Sequence, residues 1–71
     1  MIRLGNRIRL TSQEVERFTK ITGMAPVAVK TLDDLDAYIR KCKAHYWGVS
    51  KDTRFLHYLL DHERSRCLSA A

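Results

Sequence analysis

The chain has little of what punctuates or cross-links a fold: its 71 residues include three glycines, one proline, two cysteines and one tryptophan. Cys42 and Cys67 are too few for a disulfide framework, so packing alone must hold the structure. No apolar run approaches the ~20 residues that cross a bilayer. The N-terminal "MIRLGNRIRL" has no continuous apolar stretch of the kind a secretory signal carries. The expectation is a reduced, cytoplasmic protein with no membrane segment. Repeats, low-complexity tracts and linkers are missing too, which leaves one small domain over residues 1–71. A chain of this size buries only about 60% of its unfolded surface, so there is little interior for a catalytic cavity. Stability from a partner, or from a homodimer, is a natural supplement to so thin a core.

What the chain has in excess is positive charge, a net +5, unevenly spread. Residues 1–30 carry six Lys/Arg against two acids, residues 31–39 three acids and no base, and residues 40–51 four bases and no acid. Such a field attracts nucleic acid or an acidic protein surface, and charge alone does not choose between them.

Hydropathy patterning predicts a mainly α, α+β miniature of three amphipathic helices. Residues 1–10 alternate apolar and basic around Gly5-Asn6, a dipeptide suited to a tight hairpin turn, and predict a β-hairpin or a basic arm. That alternation places Ile2, Leu4, Ile8 and Leu10 on one face and Arg3, Arg7 and Arg9 on the other. The helical body covers 11–66. Thr11 with Glu14 is a capping box that starts the first helix, 11–22, and Gly23 ends it. Val27 and Val29 in "MAPVAVK" favour a short strand at 26–30. Thr31 with Asp34 caps the second helix, 32–46, whose Leu32, Leu35, Ile39, Cys42 and Tyr46 form an apolar stripe. Asp33, Asp34 and Asp36 at its start, with Arg40, Lys41 and Lys43 at its end, complement the helix dipole. Ser50 or Asp52 caps the third helix, 52–66, with Phe55, Leu56, Leu59 and Leu60 as its core arc. Residues 67–71 read as a flexible tail.

Chemistry is thinly represented. Cys42 and His45 lie one helical turn apart, but Cys42 sits in the middle of an apolar stripe, where a buried thiol is the ordinary outcome. Cys42 and His45 with His62 and Cys67 are of the residue types zinc prefers, yet the His62–Cys67 interval is wider than usual zinc pairs. No glycine-rich loop offers a phosphate cradle or oxyanion hole. Neither a catalytic residue, a metal ligand nor a cofactor is assigned.

In "EVERFTKITGMAPVAVKTLDDL", Phe18, Gly23, Met24, Val29 and Leu32 fall near apolar and turn positions that resemble, in outline, helix-turn-helix DNA-binding proteins over about twenty residues. The segment that the resemblance makes a recognition helix, residues 27–34, has no Arg, Asn or Gln to read base edges and carries Asp33 and Asp34. The tail "CLSAA" resembles the small apolar C-termini recognised by bacterial energy-dependent proteases.

Aromatic residues ringed by bases have the composition of protein-binding hot spots. The expected contact residues are Tyr38, His45, Trp47, Lys51, Arg54 and Tyr58, although a lone Trp at a helix end also suits a core keystone. The functional expectation is a small non-catalytic regulator that binds another protein and modulates or inhibits it, with nucleic-acid-binding proteins among the candidate partners. Chains of this size and content occur among phage and plasmid accessory proteins such as anti-repressors and defence inhibitors. The alternative is a small DNA- or RNA-binding protein that uses Arg3, Arg7, Arg9, Arg40, Lys41 and Lys43 on phosphates.

Overall fold

In the computed structural model, which describes residues 1–69, a two-stranded antiparallel hairpin precedes three helices. The elements are β1 (Ile2–Leu4), β2 (Arg7–Arg9), α1 (Ser12–Thr22), α2 (Leu32–His45) and α3 (Lys51–Ser69). The mainly helical α+β miniature expected from the sequence is the fold.

Local signals set the helix ends. The Thr11 hydroxyl accepts the Glu14 amide at 3.2 Å while the Glu14 carboxylate accepts the Thr11 amide at 2.8 Å. Thr31 and Asp34 repeat that reciprocal arrangement at the start of α2. Gly23, with φ 72°, supplies the left-handed residue that closes α1, and its amide donates to the Thr19 carbonyl. Ser50 accepts the Thr53 amide at 3.2 Å, so of the two candidates Ser50 caps α3.

Four expectations are corrected. No strand forms at 26–30, because Ala28 has φ 57° and breaks the extension. What remains is one bridge between Arg7 and Thr31, with the Ile8 amide donating to the Lys30 carbonyl at 2.8 Å. Residues 24–31 are therefore non-helical, and the recognition helix that a helix-turn-helix needs at 27–34 does not exist. The hairpin faces also differ from the simple alternation. A two-residue turn sets Leu4 opposite Arg7 and Ile2 opposite Arg9, so these four share a face, while Met1 and Ile8 turn inward. Finally, α3 runs through Cys67, which is buried, to Ser69, so 67–69 are helix and not tail. The last two residues of the tail, and with them part of "CLSAA", lie outside the described residues.

The core is built from Phe18, Leu35, Ile39, Cys42, Leu60 and Cys67, with Met1 and Ile8 closing the hairpin end. Its α3 contribution is the seam Leu56, Leu60, Glu63 and Cys67, rotated from the expected arc. Glu63 can lie there because Arg17 of α1 reaches it with a charge-assisted hydrogen bond. The pairs Lys43–Asp61, Asp36–Arg64 and Tyr46–His57 run in opposite chain directions, so α2 and α3 are antiparallel. At the end of α1 the hydroxyls of Tyr38 and Tyr46 donate to the carbonyls of Met24 (2.7 Å) and Thr22 (2.6 Å), tying α2 to the chain around Gly23.

These placements separate the aromatics energetically. Phe18→Ala removes a fully buried ring and is expected to cost about 3–5 kcal/mol. Phe55→Ala and Trp47→Ala are expected to stay within about 0.5 kcal/mol of the parent. Urea midpoints of the three variants check this; a large loss at Phe55 or Trp47 would contradict the orientation of α3 and its loop.

Candidate functional site

A helix that packs on one side need present nothing apolar on the other, yet α3 does. At about 100° per residue, Lys51, Phe55, Tyr58, His62, Ser65 and Ser69 fall on one side of the helix, opposite the core seam. Phe55 and Tyr58 are each 61% exposed, and His62 is exposed as well. Their rings form a ladder: Phe55 and Tyr58 lie near-parallel at 6.3 Å between centroids, and Tyr58 and His62 at 5.9 Å. Trp47 and Val49, in the loop leading into α3, are both 82% exposed.

The electrostatics of this face are one-sided. Lys51, Arg54 and Arg66 flank the ladder, are exposed, and make no ion pair among the described residues. The acids of α3 are spent elsewhere: Asp61 binds Lys43 at 2.8 Å and Glu63 binds Arg17, which leaves Asp52 in the first turn. The result is an aromatic stripe with a basic margin and no carboxylate on it.

The structure sorts the contact residues expected from sequence. His45, Trp47, Lys51, Arg54 and Tyr58 are exposed in the region from the end of α2 to the first turns of α3. Trp47 is no core keystone. Tyr38 is corrected to a structural residue: it is half-buried, meets Phe18 edge to face at 5.6 Å, and has its hydroxyl bonded to Met24 and Thr22. Burial first of all, opposed by the Thr22 hydrogen bond, raises its phenol well above the usual range. Of the phosphate-contact set, Arg3, Arg7 and Arg9 are exposed on the hairpin and Arg40 and Lys41 on α2. Lys43 is committed to Asp61. Sequence reasoning missed Phe55, Val49, His62 and Arg66. For Phe55 and His62 the signal is the repeat of four and three that joins 51, 55, 58 and 62, opposite the core repeat of 56, 60, 63 and 67; Val49 and Arg66 lie outside it.

Other places that could carry chemistry are already occupied. Cys42 is fully buried in the core while His45 is exposed beside Tyr46, so the two do not form a nucleophile and base pair. Among the described residues no group of three or more His, Cys, Asp and Glu side chains is placed to hold a metal ion, and no helix is long and apolar enough to cross a membrane. A cavity of about 270 Å³ between residues 24–29 and α2 is lined by Met24, Val27, Val29 and Tyr38. Of its polar side chains Tyr38 is bonded to Met24 and Asp34 to the amides of Lys30 and Thr31, which leaves Lys41 at its edge. A second strongly perturbed pair lies between α1 and α3. There Glu14 is buried and meets the Met1 ammonium at 2.7 Å. Burial works to raise the Glu14 carboxyl, but hydrogen bonds from that ammonium, the Thr11 amide and Cys67 win and hold it down at about 2. Burial and the neighbouring Glu14 push the Cys67 thiol up to about 12, which makes it an unreactive core group.

No known family matches. Comparison with family models, with curated proteins and with solved structures returns no match to this chain.

The Glu14 arrangement has a pH consequence. Its folded-state value lies below the ordinary 4.5, so its stabilisation is complete above about 4.5 and is lost as pH falls toward 2. The loss is on the order of 3 kcal/mol. Urea midpoints measured from pH 7 down to pH 2 should fall steeply for the parent and less steeply for Glu14→Gln. Equal slopes would contradict the pairing.

Proposed function

We propose that the protein is a small, non-catalytic, cytoplasmic regulator that docks on another protein through the outer face of α3 and the loop before it, and modulates or blocks that partner. The observation that carries this reading is the exposed ladder Phe55–Tyr58–His62, flanked by Lys51 and Arg54, with Trp47 exposed in the loop that leads into it. Leaving large rings in water forgoes burial worth roughly 1.5–3 kcal/mol each, in a chain whose core is thin. Contiguous exposed apolar surface of this kind marks interaction sites, and Tyr, Trp and Arg are the residues that dominate binding energy. Phage- and plasmid-type accessory proteins, anti-repressors and defence inhibitors among them, share this size and lack of chemistry, an analogy of size alone.

A second reading, a small nucleic-acid-binding protein, is favoured by a different observation. Among the described residues only Arg17, Lys20, Lys43 and Arg64 of the thirteen Lys/Arg are in ion pairs, and Arg3, Arg7, Arg9, Arg40 and Lys41 are free to meet phosphates.

Two measurements separate the readings. Co-purification from the native host should yield a stoichiometric protein complex that Phe55→Ser with Tyr58→Ser abolishes without moving the urea midpoint. Mobility-shift titrations of the pure protein with DNA and RNA at several salt concentrations should show no tight binding. A tight shift that weakens steeply with salt would contradict the protein-partner reading.

A further inference from the structure

We infer that the partner surface received by α3 is an acidic amphipathic helix, laid along the seam Lys51, Phe55, Tyr58, His62 and Ser65; this rests on the docking reading above and specifies its chemistry. The first support is spacing. The exposed seam keeps the alternating intervals of four and three that bring one helix against another, and the opposite seam of the same helix, Leu56, Leu60, Glu63 and Cys67, already packs in that way. A helix of 19 residues with two such seams is built to lie between two neighbours, and the chain supplies only one side.

Charge then selects the second neighbour. Lys51, Arg54 and Arg66 border the rings, and every carboxylate of α3 other than Asp52 is consumed by Lys43 or Arg17. A second copy of this chain would set these cations against the same cations with Asp52 as the one uncommitted acid of the helix, and like charges across an interface are costly. A helix with apolar residues facing the rings and Asp or Glu along its edges satisfies both features at once. The cations at the two ends of the seam, Lys51 and Arg66, are separated by about 23 Å of helix at 1.5 Å per residue, so the match extends over some four turns of a partner.

The ladder itself argues against single-stranded nucleic acid on this face. Bases bind by stacking on open ring faces. Tyr58 has Phe55 near-parallel at 6.3 Å and His62 near-parallel at 5.9 Å, so its own neighbours compete with a base for its ring. The ring edges and the half-buried Leu59 beside them remain for contact, and these suit aliphatic side chains of a helix.

The test uses the full chain and three probes: a helical peptide a few heptads long with Leu at the seam and Glu at the flanks, the same peptide with Lys for Glu, and an oligo-dT strand. Binding is read from the anisotropy of labelled probe and from Trp47, the single tryptophan, whose exposed indole sits at the start of the seam. The expected result is binding of the Glu peptide alone, weakened about tenfold or more by Tyr58→Ala. Arg54→Glu with Arg66→Glu should reverse the preference toward the Lys peptide while the urea midpoint holds. Absence of Glu-peptide binding, equal binding of the Lys peptide, insensitivity to Tyr58→Ala, or preferential binding of oligo-dT would each overturn the inference. So would a dimer of the unliganded protein in sedimentation whose formation Tyr58→Ala prevents. If the Glu peptide fails while the host complex still depends on Phe55 and Tyr58, the helix chemistry falls and the docking reading stands. If the host complex is indifferent to those residues, the docking reading falls.

Discussion

Glu63 lies on the side of α3 that packs into the protein, carrying a carboxylate that an apolar interior would not accept alone. Arg17 resolves this from α1: its guanidinium keeps about a third of its surface in water and gives Glu63 a charge-assisted hydrogen bond. The cost of burial is thereby confined to one well-bonded group, and the seam Leu56, Leu60, Glu63, Cys67 becomes a usable core surface. Removing Arg17 would leave the Glu63 carboxylate on the core side of α3 without its partner, which destabilises the fold. The same contact fixes the rotation of α3, since turning the helix to bury Phe55 would carry Glu63 out of reach of Arg17. The Glu14–Met1 pair and Cys67 extend this polar seam one turn further along the α1–α3 interface.

From that rotation the surface follows. With Leu56 and Leu60 inward, Phe55, Tyr58 and His62 must face out, and they stack on one another there. Lys43 and Arg64 lock α2 to the flanks of α3 through Asp61 and Asp36, which also removes acids that would otherwise soften the positive margin. His57 turns back to the Tyr46 carbonyl at 2.8 Å, so the loop carrying Trp47 is anchored behind the indole and not by it. Stability and exposed stripe are thus two results of one choice of helix face.

Much of the fold was legible because it rests on local chemistry. Thr11 with Glu14 and Thr31 with Asp34 announce helix starts within four residues, and Gly23 announces a stop; each is seen in the structure. What was not legible depended on pairing at a distance. The arc of α3 was read from the apolar Phe55, Leu56, Leu59 and Leu60 of its first turns, and nothing near Glu63 in sequence reveals that Arg17 makes it a core position. Parity along the hairpin failed for a related reason: the two-residue turn reverses which positions share a face, so Leu4 joins Arg7. The strand expected at 26–30 was lost to Ala28, whose left-handed backbone no propensity anticipates. Five of the six expected contact residues are exposed, Tyr38 being spent on the carbonyl of Met24, and the strongest part of the face was missed with the helix rotation.

The most direct test of this account is solvent relaxation of the aromatic side chains by NMR, with a soluble paramagnetic agent added to the free protein. The account predicts strong broadening of the Phe55, Tyr58, His62 and Trp47 ring protons and protection of those of Phe18. Protection of Phe55 and Tyr58 in the monomer would mean that α3 buries its other seam, and would contradict both the Arg17–Glu63 constraint and the docking face derived from it.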